Sequence, residues 1–244
     1  MSGDGGWGTG LDEYSLRARF LPGVLAIIAP VGSVVAFGLR ENRVATAVVG
    51  VIGLALGTFL LATVARSLGK PHQARIFGAK GGAPTTHALR LSSTEWPDTQ
   101  RANWRRDATR ATERPLSKSP SDGEIAVVVE ILREMTRDPN RFAAVATERI
   151  SFGLHRNLLG VRHAAIALGT CAFVASIFGS VLAALTDGVP WTLTDQLVAT
   201  LVSIGVLAFF AWFPNDSRVW TAGRSYAERL MAAAGTLAQD REMP

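Results

Sequence analysis

Basic side chains beside aromatic rings are the residues of this sequence that come closest to a recognisable binding chemistry. The basic run consists of Arg101, Arg105, Arg106, Arg110 and Arg114, and it is interleaved with Trp96 and Trp104. Guanidinium groups bind phosphates and exposed rings stack on bases, so this pattern is typical of a surface for single-stranded nucleic acid or nucleotides. A solvated helical face near anionic lipid headgroups is the plainer interpretation, and the residues alone favour it.

A glycine-rich segment before two threonines is a second place where an anion would bind. Residues 78–86 read Gly-Ala-Lys-Gly-Gly-Ala-Pro-Thr-Thr, without the order of a phosphate-binding P-loop and without a predicted strand before them. The two adjacent glycines predict a turn, and Pro84 predicts the first turn of a helix. The N-terminus of that helix, with Thr85 and Thr86, is able to hold an anion, but an ordinary helix start is favoured.

The remaining reactive side chains form no pattern that predicts catalysis. The four histidines, at positions 72, 87, 155 and 163, are scattered without a second ligand at metal-like spacing. Cys171 is the one cysteine and lies in an apolar block, so no disulfide framework is predicted. Paired acids and an activated nucleophile are not recognisable either. We therefore predict a protein that is not an enzyme and uses neither a metal nor a cofactor.

The most prominent structural elements predicted from the sequence are four long apolar blocks. They cover residues 20–38, 44–65, 164–185 and 197–213, and the second and third contain no Asp, Glu, Lys, Arg or His. About 20 helical residues cross a hydrocarbon core roughly 30 Å thick. Backbone N–H and C=O groups in lipid must be paired within the protein, so each block is predicted to be a helix. The sequence therefore predicts a mainly α, polytopic membrane protein.

The charges between the blocks predict how the chain is oriented. The predicted segments are 1–19, a first transmembrane hairpin at 20–66, a basic domain at 67–162, a second hairpin at 163–213, and a C-terminal helix at 214–244. Residues 66–162 hold 17 Lys or Arg and 10 Asp or Glu, a net charge of +7. Positive loops stay in the cytoplasm, so we expect the basic domain and both termini on the cytoplasmic side of the bacterial inner membrane. Arg40 and Arg43, in the first hairpin, oppose this assignment.

Helical patterns continue through the polar parts of the chain. Helices are predicted at 124–138, capped by Ser121 or Asp122, and at 141–159, leading into the third span. Residues 117–123 are the predicted loop. The amphipathic helix at 217–239 is predicted to pack on the basic domain, because it lacks the basic stripe of a helix that lies on a membrane.

Two features bear on self-association. The basic domain has few large apolar residues for its length, so we expect neighbouring subunits or the inner ends of the spans to stabilise it. Gly53 and Gly57 form a small-x-x-x-small pair in the second span, a spacing that serves equally for self-association and for packing within one chain. A homo-oligomer in the lipid bilayer is the expectation.

Three short segments carry a family resemblance. They are Tyr-Ser-Leu-Arg-Ala-Arg-Phe-Leu-Pro at 14–22, Gly-Gly-Ala-Pro-Thr-Thr at 81–86, and Phe-Gly-Leu-His-Arg-Asn-Leu-Leu-Gly at 152–160. Together with the two-plus-two arrangement of spans, over most of the chain, they resemble the HalB-like membrane effectors of Hailong-type anti-phage defence systems. The resemblance implies a tetrameric ion channel. Its ligand would be a nucleotide or a short single-stranded DNA made by a nucleotidyltransferase encoded alongside, and its opening would depolarise the infected cell.

The resemblance also implies which residues bind the ligand. They are Thr85, Thr86, Arg90, Arg156 and Asn157, with Arg101, Arg105 and Arg106 forming an electrostatic funnel. His87 stands where the family has a basic residue after the threonine pair, which departs from the pattern. A different class of function is a non-conducting membrane scaffold that recruits a partner protein through the basic domain. A membrane enzyme is the third and least favoured reading.

Overall fold

The computed structural model describes residues 14–38, 43–186, 189 and 191–242, and within these ranges all regular structure is helical. The α-helices are α1 Leu21–Gly38, α2 Arg43–Ala79, α3 Pro84–Leu89, α4 Asp98–Thr112, α5 Asp122–Met135, α6 Ala143–Leu185, α7 Leu193–Trp212 and α8 Asp216–Glu242. A π-helical turn, Ser15–Phe20, leads into α1. The predicted mainly helical fold is confirmed. Most of the predicted N-terminal segment, Arg40, and part of the hairpin between α6 and α7 lie outside the described residues.

Four of these helices, α1, α2, α6 and α7, contain stretches long and apolar enough to cross a membrane, as the four apolar blocks predict. Their outward surfaces are apolar too, since Phe59 is 61% exposed, Phe178 66% and Leu201 68%. Among the described residues, only two strongly exposed large apolar side chains, Leu91 and Val127, lie outside these four helices and the π-helical turn. Apolar surface of this extent is typical of a protein whose solvent is partly lipid.

The chain divides into two compact units. The apolar unit comprises Met1–His72 and Leu154–Asn215, and the polar unit comprises Gln73–Gly153 and Asp216–Pro244. Helices α2 and α6 each contribute residues to both. Residues 154–162, assigned from the sequence to the basic domain, cluster with the apolar unit. Helix α8 clusters with the polar unit.

Small residues allow close packing of helices in the apolar unit. A Cβ atom on Gly160 of α6 would lie 2.7 Å from the carbonyl oxygen of Ala65 in α2. On Gly57 it would lie 2.8 Å from Cδ1 of Ile27 in α1, whereas on Gly53 it would meet no described atom within 4 Å. Small residues let membrane helices approach each other closely. Gly57 therefore allows close packing within one chain, whereas the face of α2 at Gly53 is not covered by another described residue.

The polar unit has an apolar core of its own, to which α8 makes a large contribution. Tyr226, Leu230 and Met231 of α8 are at most 7% exposed and share one cluster with Ile125 and Leu132 of α5. The prediction that this helix packs on the basic domain is confirmed. Residues 67–162 alone contain few large apolar side chains, and α8 of the same chain supplies the rest of the core.

The ends of the helices follow local hydrogen bonding. Ser121 begins α5 with a capping box, in which its Oγ accepts from the Glu124 N–H at 3.2 Å and its own N–H donates to Glu124 Oε2 at 2.8 Å. Ser121 is therefore the cap, of the two candidates. Helix α3 begins at Pro84 as predicted, after a turn in which Gly81 has a φ of +77°. Helix α6 passes through Gly160 without a break.

Candidate ligand-binding site

Thr85 and Thr86 lie in the first turn of α3, a helix of only six residues in the polar unit. The Thr86 and His87 N–H groups both donate to the carbonyl oxygen of Ala83, at 2.9 and 3.0 Å. Thr85 is only 6% exposed. Two of the first N–H groups of the helix are thus engaged within the turn itself, which is the arrangement of an ordinary helix start.

Arg90 closes the glycine turn from the far end of α3. One guanidinium nitrogen donates to the Gly81 carbonyl oxygen at 2.8 Å, and the other pairs with Asp122 at the start of α5. Thr86 and Arg90 are neighbours, since the Arg90 N–H donates to the Thr86 carbonyl oxygen at 3.0 Å. A carboxylate already neutralises the guanidinium, so a ligand anion at this position would compete with Asp122.

His87, next to the threonines, is buried and hydrogen-bonded through both ring nitrogens. Its Nε2 lies 2.9 Å from the Lys80 carbonyl oxygen and its Nδ1 lies 3.0 Å from the Ser93 hydroxyl. Burial lowers the pKa of His87, and the nearby Arg90 charge lowers it further. Both effects favour the neutral form of the ring, which serves as a structural element of the polar unit.

The basic run on α4 divides into inward and outward members. Arg101 is 3% exposed, donates to the carbonyl oxygens of Arg90 and Leu91 at 2.9 and 2.7 Å, and pairs with Asp98. Arg105 donates to the carbonyl oxygens of Leu116 and Ser117. These two arginines hold loops in place, a role that the sequence pattern did not predict.

The outward members of the run remain available to solvent. The Arg106 side chain is 57% exposed and contacts only its neighbour Asp107, at 3.4 Å, among the ion pairs described. Arg110 is 53% exposed and pairs with Glu242 at 2.9 Å. Any electrostatic funnel therefore consists of Arg106 and Arg110 on α4 and Arg114 just beyond its end, without Arg101 and Arg105.

The expectation that Trp96 and Trp104 are exposed rings for base stacking is wrong. They are 5% and 9% exposed and pack edge to face, with their centroids 5.5 Å apart, in the core of the polar unit. The Trp96 indole N–H donates to Glu228 Oε1 at 2.8 Å. Both rings are amphipathic core residues, because α8 covers the face that the sequence of α4 alone leaves open.

Arg156 and Asn157 lie in the apolar unit and so belong to a different compact unit from the threonine pair. Asn157 is fully buried, and its Nδ2 donates to the Ala18 carbonyl oxygen at 2.6 Å. Its Oδ1 accepts from Arg156 Nε at 3.3 Å. The asparagine fastens α6 to the π-helical turn before α1, which joins two of the segments that carry the family resemblance.

Polar side chains also line part of the interior of the apolar unit. Ser33 of α1 and Ser176 of α6 are hydrogen-bonded at 3.0 Å, and both are at most 5% exposed. Gln196 of α7 is fully buried next to Gly179, and neither end of its amide has a hydrogen-bond partner within the described chain. Gln196 is uncharged and immediately precedes the fourth apolar block, so the charge pattern of the blocks gives no sign of it.

One end of this interior is polar and the other is apolar. On α7, the buried residues Gln196, Thr200 and Ser203 are followed by Val206 and Phe210. The last two belong to an apolar cluster formed with Ala26 and Ala29 of α1 and with Leu158, Val161 and Ala165 of α6. The interior of the unit thus changes along α7 from hydroxyl and amide groups to a tightly packed apolar segment.

Histidine, cysteine and carboxylate side chains do not gather in threes into a metal-binding group anywhere in the described ranges. His72 and His163 stack in the apolar unit with centroids 6.3 Å apart. No family model, curated protein or solved structure matches the chain.

Proposed function

We propose that this chain is an oligomeric, ligand-gated ion channel or pore effector of bacterial anti-phage defence. Helices α1 and α2 form one transmembrane hairpin and α6 and α7 the other, with the polar unit and both termini in the cytoplasm. A nucleotide or short single-stranded DNA bound by the polar unit controls the pore. The resemblance to Hailong-type effectors motivates the proposal, including the tetramer and the nucleotidyltransferase partner.

The structural observation that best supports conduction is the polar interior of the apolar unit. A buried amide without a hydrogen-bond partner costs several kcal/mol in an apolar environment, and Gln196 is such an amide. Water that enters beside Gln196, Thr200 and Ser203 would supply the missing partners. The apolar segment around Phe210 would then act as the barrier, since hydrophobic constrictions close channels by excluding water.

Control by a ligand requires that the ligand bind one state of the pore more tightly than the other. Helices α2 and α6 each contribute residues to the polar unit and to the apolar unit. A ligand that shifts the packing of the polar unit therefore has two continuous helices that lead to the spans. We assign ligand binding in the polar unit to the outward arginines Arg106, Arg110 and Arg114, and to Thr86 and Arg90.

Ion flux from potassium-loaded liposomes tests the conduction proposal, with Phe210→Ser as the variant. A polar residue in the apolar segment should raise the resting flux at least several-fold. Leu201→Ser, on the same helix but 68% exposed, is the matched control and should leave the flux unchanged. The same ranking is expected for depolarisation of cells that express the variants, followed with a voltage-sensitive dye.

Absence of flux from the wild type and from both variants, without depolarisation of cells, would favour the scaffold interpretation. Ligand binding is tested separately, by fluorescence anisotropy with short single-stranded DNA. Arg106→Gln combined with Arg114→Gln should weaken binding and make it less salt-dependent, because each removes a phosphate contact. Equal affinity in the wild type and the double variant would remove this surface from the proposal.

A further inference from the structure

A pocket of about 310 Å³ lies within the polar unit and includes none of the predicted site residues. It is formed at the end of α5, near the start of α6 and on α8. Three arginines, Arg133, Arg137 and Arg149, line it together with Tyr226 and the glutamates at positions 130 and 134. Three guanidinium groups and a phenol facing one small space have the composition of an anion site.

The two glutamates hold Arg133 and Arg137 only weakly. Arg133 lies 3.2 Å from Glu130 and Arg137 lies 3.5 Å from Glu134, each within one turn of the chain. Both carboxylates are about two-thirds exposed, at 65% and 64%. Exposed ion pairs contribute little to stability, so both guanidinium groups can turn toward an anion in the pocket at small cost.

Tyr226 supplies a neutral donor at the inner wall. It is 7% exposed, and its ring stacks on Phe152 with centroids 6.4 Å apart. Burial raises the pKa of Tyr226, against the opposing effects of Arg133 and Arg149. The phenol therefore keeps its proton at neutral pH and can donate it in a hydrogen bond to a ligand oxygen.

We propose that this pocket binds the phosphate group of a small phosphate monoester. A phosphate offers three oxygen atoms to the phenol and to guanidinium groups from α5, from the turn after it and from α6, whereas a carboxylate offers two. The volume exceeds that of phosphate alone and is at the lower end for small-molecule sites, so a compact group such as a sugar fits beside Val145. This site does not depend on whether the chain conducts ions.

The test is calorimetric titration of the full-length protein in detergent at constant ionic strength. The probes are ribose 5-phosphate, inorganic phosphate and succinate. Ribose 5-phosphate should bind, inorganic phosphate should bind more weakly, and succinate should bind least. Arg133→Gln combined with Arg149→Gln should raise the dissociation constant of ribose 5-phosphate at least about tenfold, since each lost charged hydrogen bond has that weight.

Lys118→Gln combined with Arg229→Gln removes the same charge from exposed positions of the polar unit outside this pocket and should bind ribose 5-phosphate like the wild type. Tyr226→Phe, which keeps the ring packing, should weaken binding severalfold. If the Arg133/Arg149 variant does not fold, ribose 5-phosphate must still protect backbone amides near residues 130–149 of the wild type from hydrogen exchange. Absence of binding at about 10 mM, equal binding by all variants, or preference for succinate would overturn the proposal.

Discussion

Arginines that look alike in the sequence have different surroundings in the structure. Arg101 is buried and donates to two backbone carbonyl groups, whereas Arg106, five residues later on α4, is mostly exposed. Simultaneous replacement of both would combine a folding defect with a loss of surface charge. Single substitutions separate the two effects.

Arg101→Gln should lower the free energy of unfolding by about 2–4 kcal/mol, because buried carbonyl groups lose a charged donor. Arg106→Gln should change it by less than about 0.5 kcal/mol, as is usual for an exposed side chain. Thermal unfolding of the detergent-solubilised protein, followed by tryptophan fluorescence near Trp96 and Trp104, measures both. Equal stability of the two variants would contradict the structural role of Arg101.

His87 makes the polar unit sensitive to acid. Burial keeps the folded ring neutral and lowers its pKa, while the unfolded ring takes up a proton below a pH of about 6.5. The unfolded state then binds more protons, so the contribution of His87 to stability is present above that pH and is lost as the pH falls. In His87→Gln, the unfolding temperature should depend less on pH between about 7.5 and 5.5 than in the wild type. Identical slopes would show that another group is responsible.

At the scale of elements, glycine determines where the long helices meet. Gly160 of α6 and Gly69 of α2 face each other so closely that a Cβ on Gly160 would lie 2.7 Å from the Gly69 nitrogen. The contact is backbone against backbone, so no flexible side chain can move aside. The crossing of α2 and α6 within the apolar unit therefore depends on the absence of side chains.

Gly160→Ala should destabilise the protein by about 1–3 kcal/mol, the usual cost of overpacking. Gly205→Ala, on α7, is the matched control, because a Cβ there meets no described atom within 4 Å. The control should be neutral, since alanine is also the better helix former. Thermal unfolding in detergent compares the two. If Gly160→Ala left the unfolding temperature unchanged, the two helices would be able to move apart at this point without loss of stability.

For the whole molecule, the arrangement to be tested is the orientation in the membrane. The proposal puts the polar unit in the cytoplasm and the hairpin between α6 and α7 outside. Cysteine labelling distinguishes the sides after the exposed native Cys171 has been replaced by alanine.

In that background, Thr194→Cys at the start of α7 should react with a membrane-impermeant maleimide in intact spheroplasts. Lys118→Cys, in the loop before α5, should react only after the membrane has been permeabilised. Both positions lie on exposed residues, so accessibility within the protein is matched. Labelling in the reverse order would invert the topology, and labelling of both in intact spheroplasts would place both positions outside.

The helices were largely predictable from the sequence because lipid-length apolar blocks and capping residues are local signals. The turn at Gly81, the start of α3 at Pro84 and the cap at Ser121 depend only on neighbouring residues. The environment of Trp104 was not predictable, since it depends on α8, more than a hundred residues later. The environment of Arg101 was not predictable either, because it depends on how the segment at Arg90 and Leu91 folds against α4. The burial of Gln196 was not predictable, because it follows from packing against Gly179 of another helix.

The dependence of the polar unit on α8 has a consequence for biosynthesis. Helices α4 and α5 leave the ribosome before α6, α7 and α8 have been made, and about a hundred further residues take roughly 5–20 s to synthesise. During that interval their apolar faces, including Trp104 and Leu132, lack the partners that α8 supplies. A chain whose translation stops before α8 is therefore expected to be degraded by proteases. Only chains in which all four membrane helices have already been synthesised can complete the polar unit.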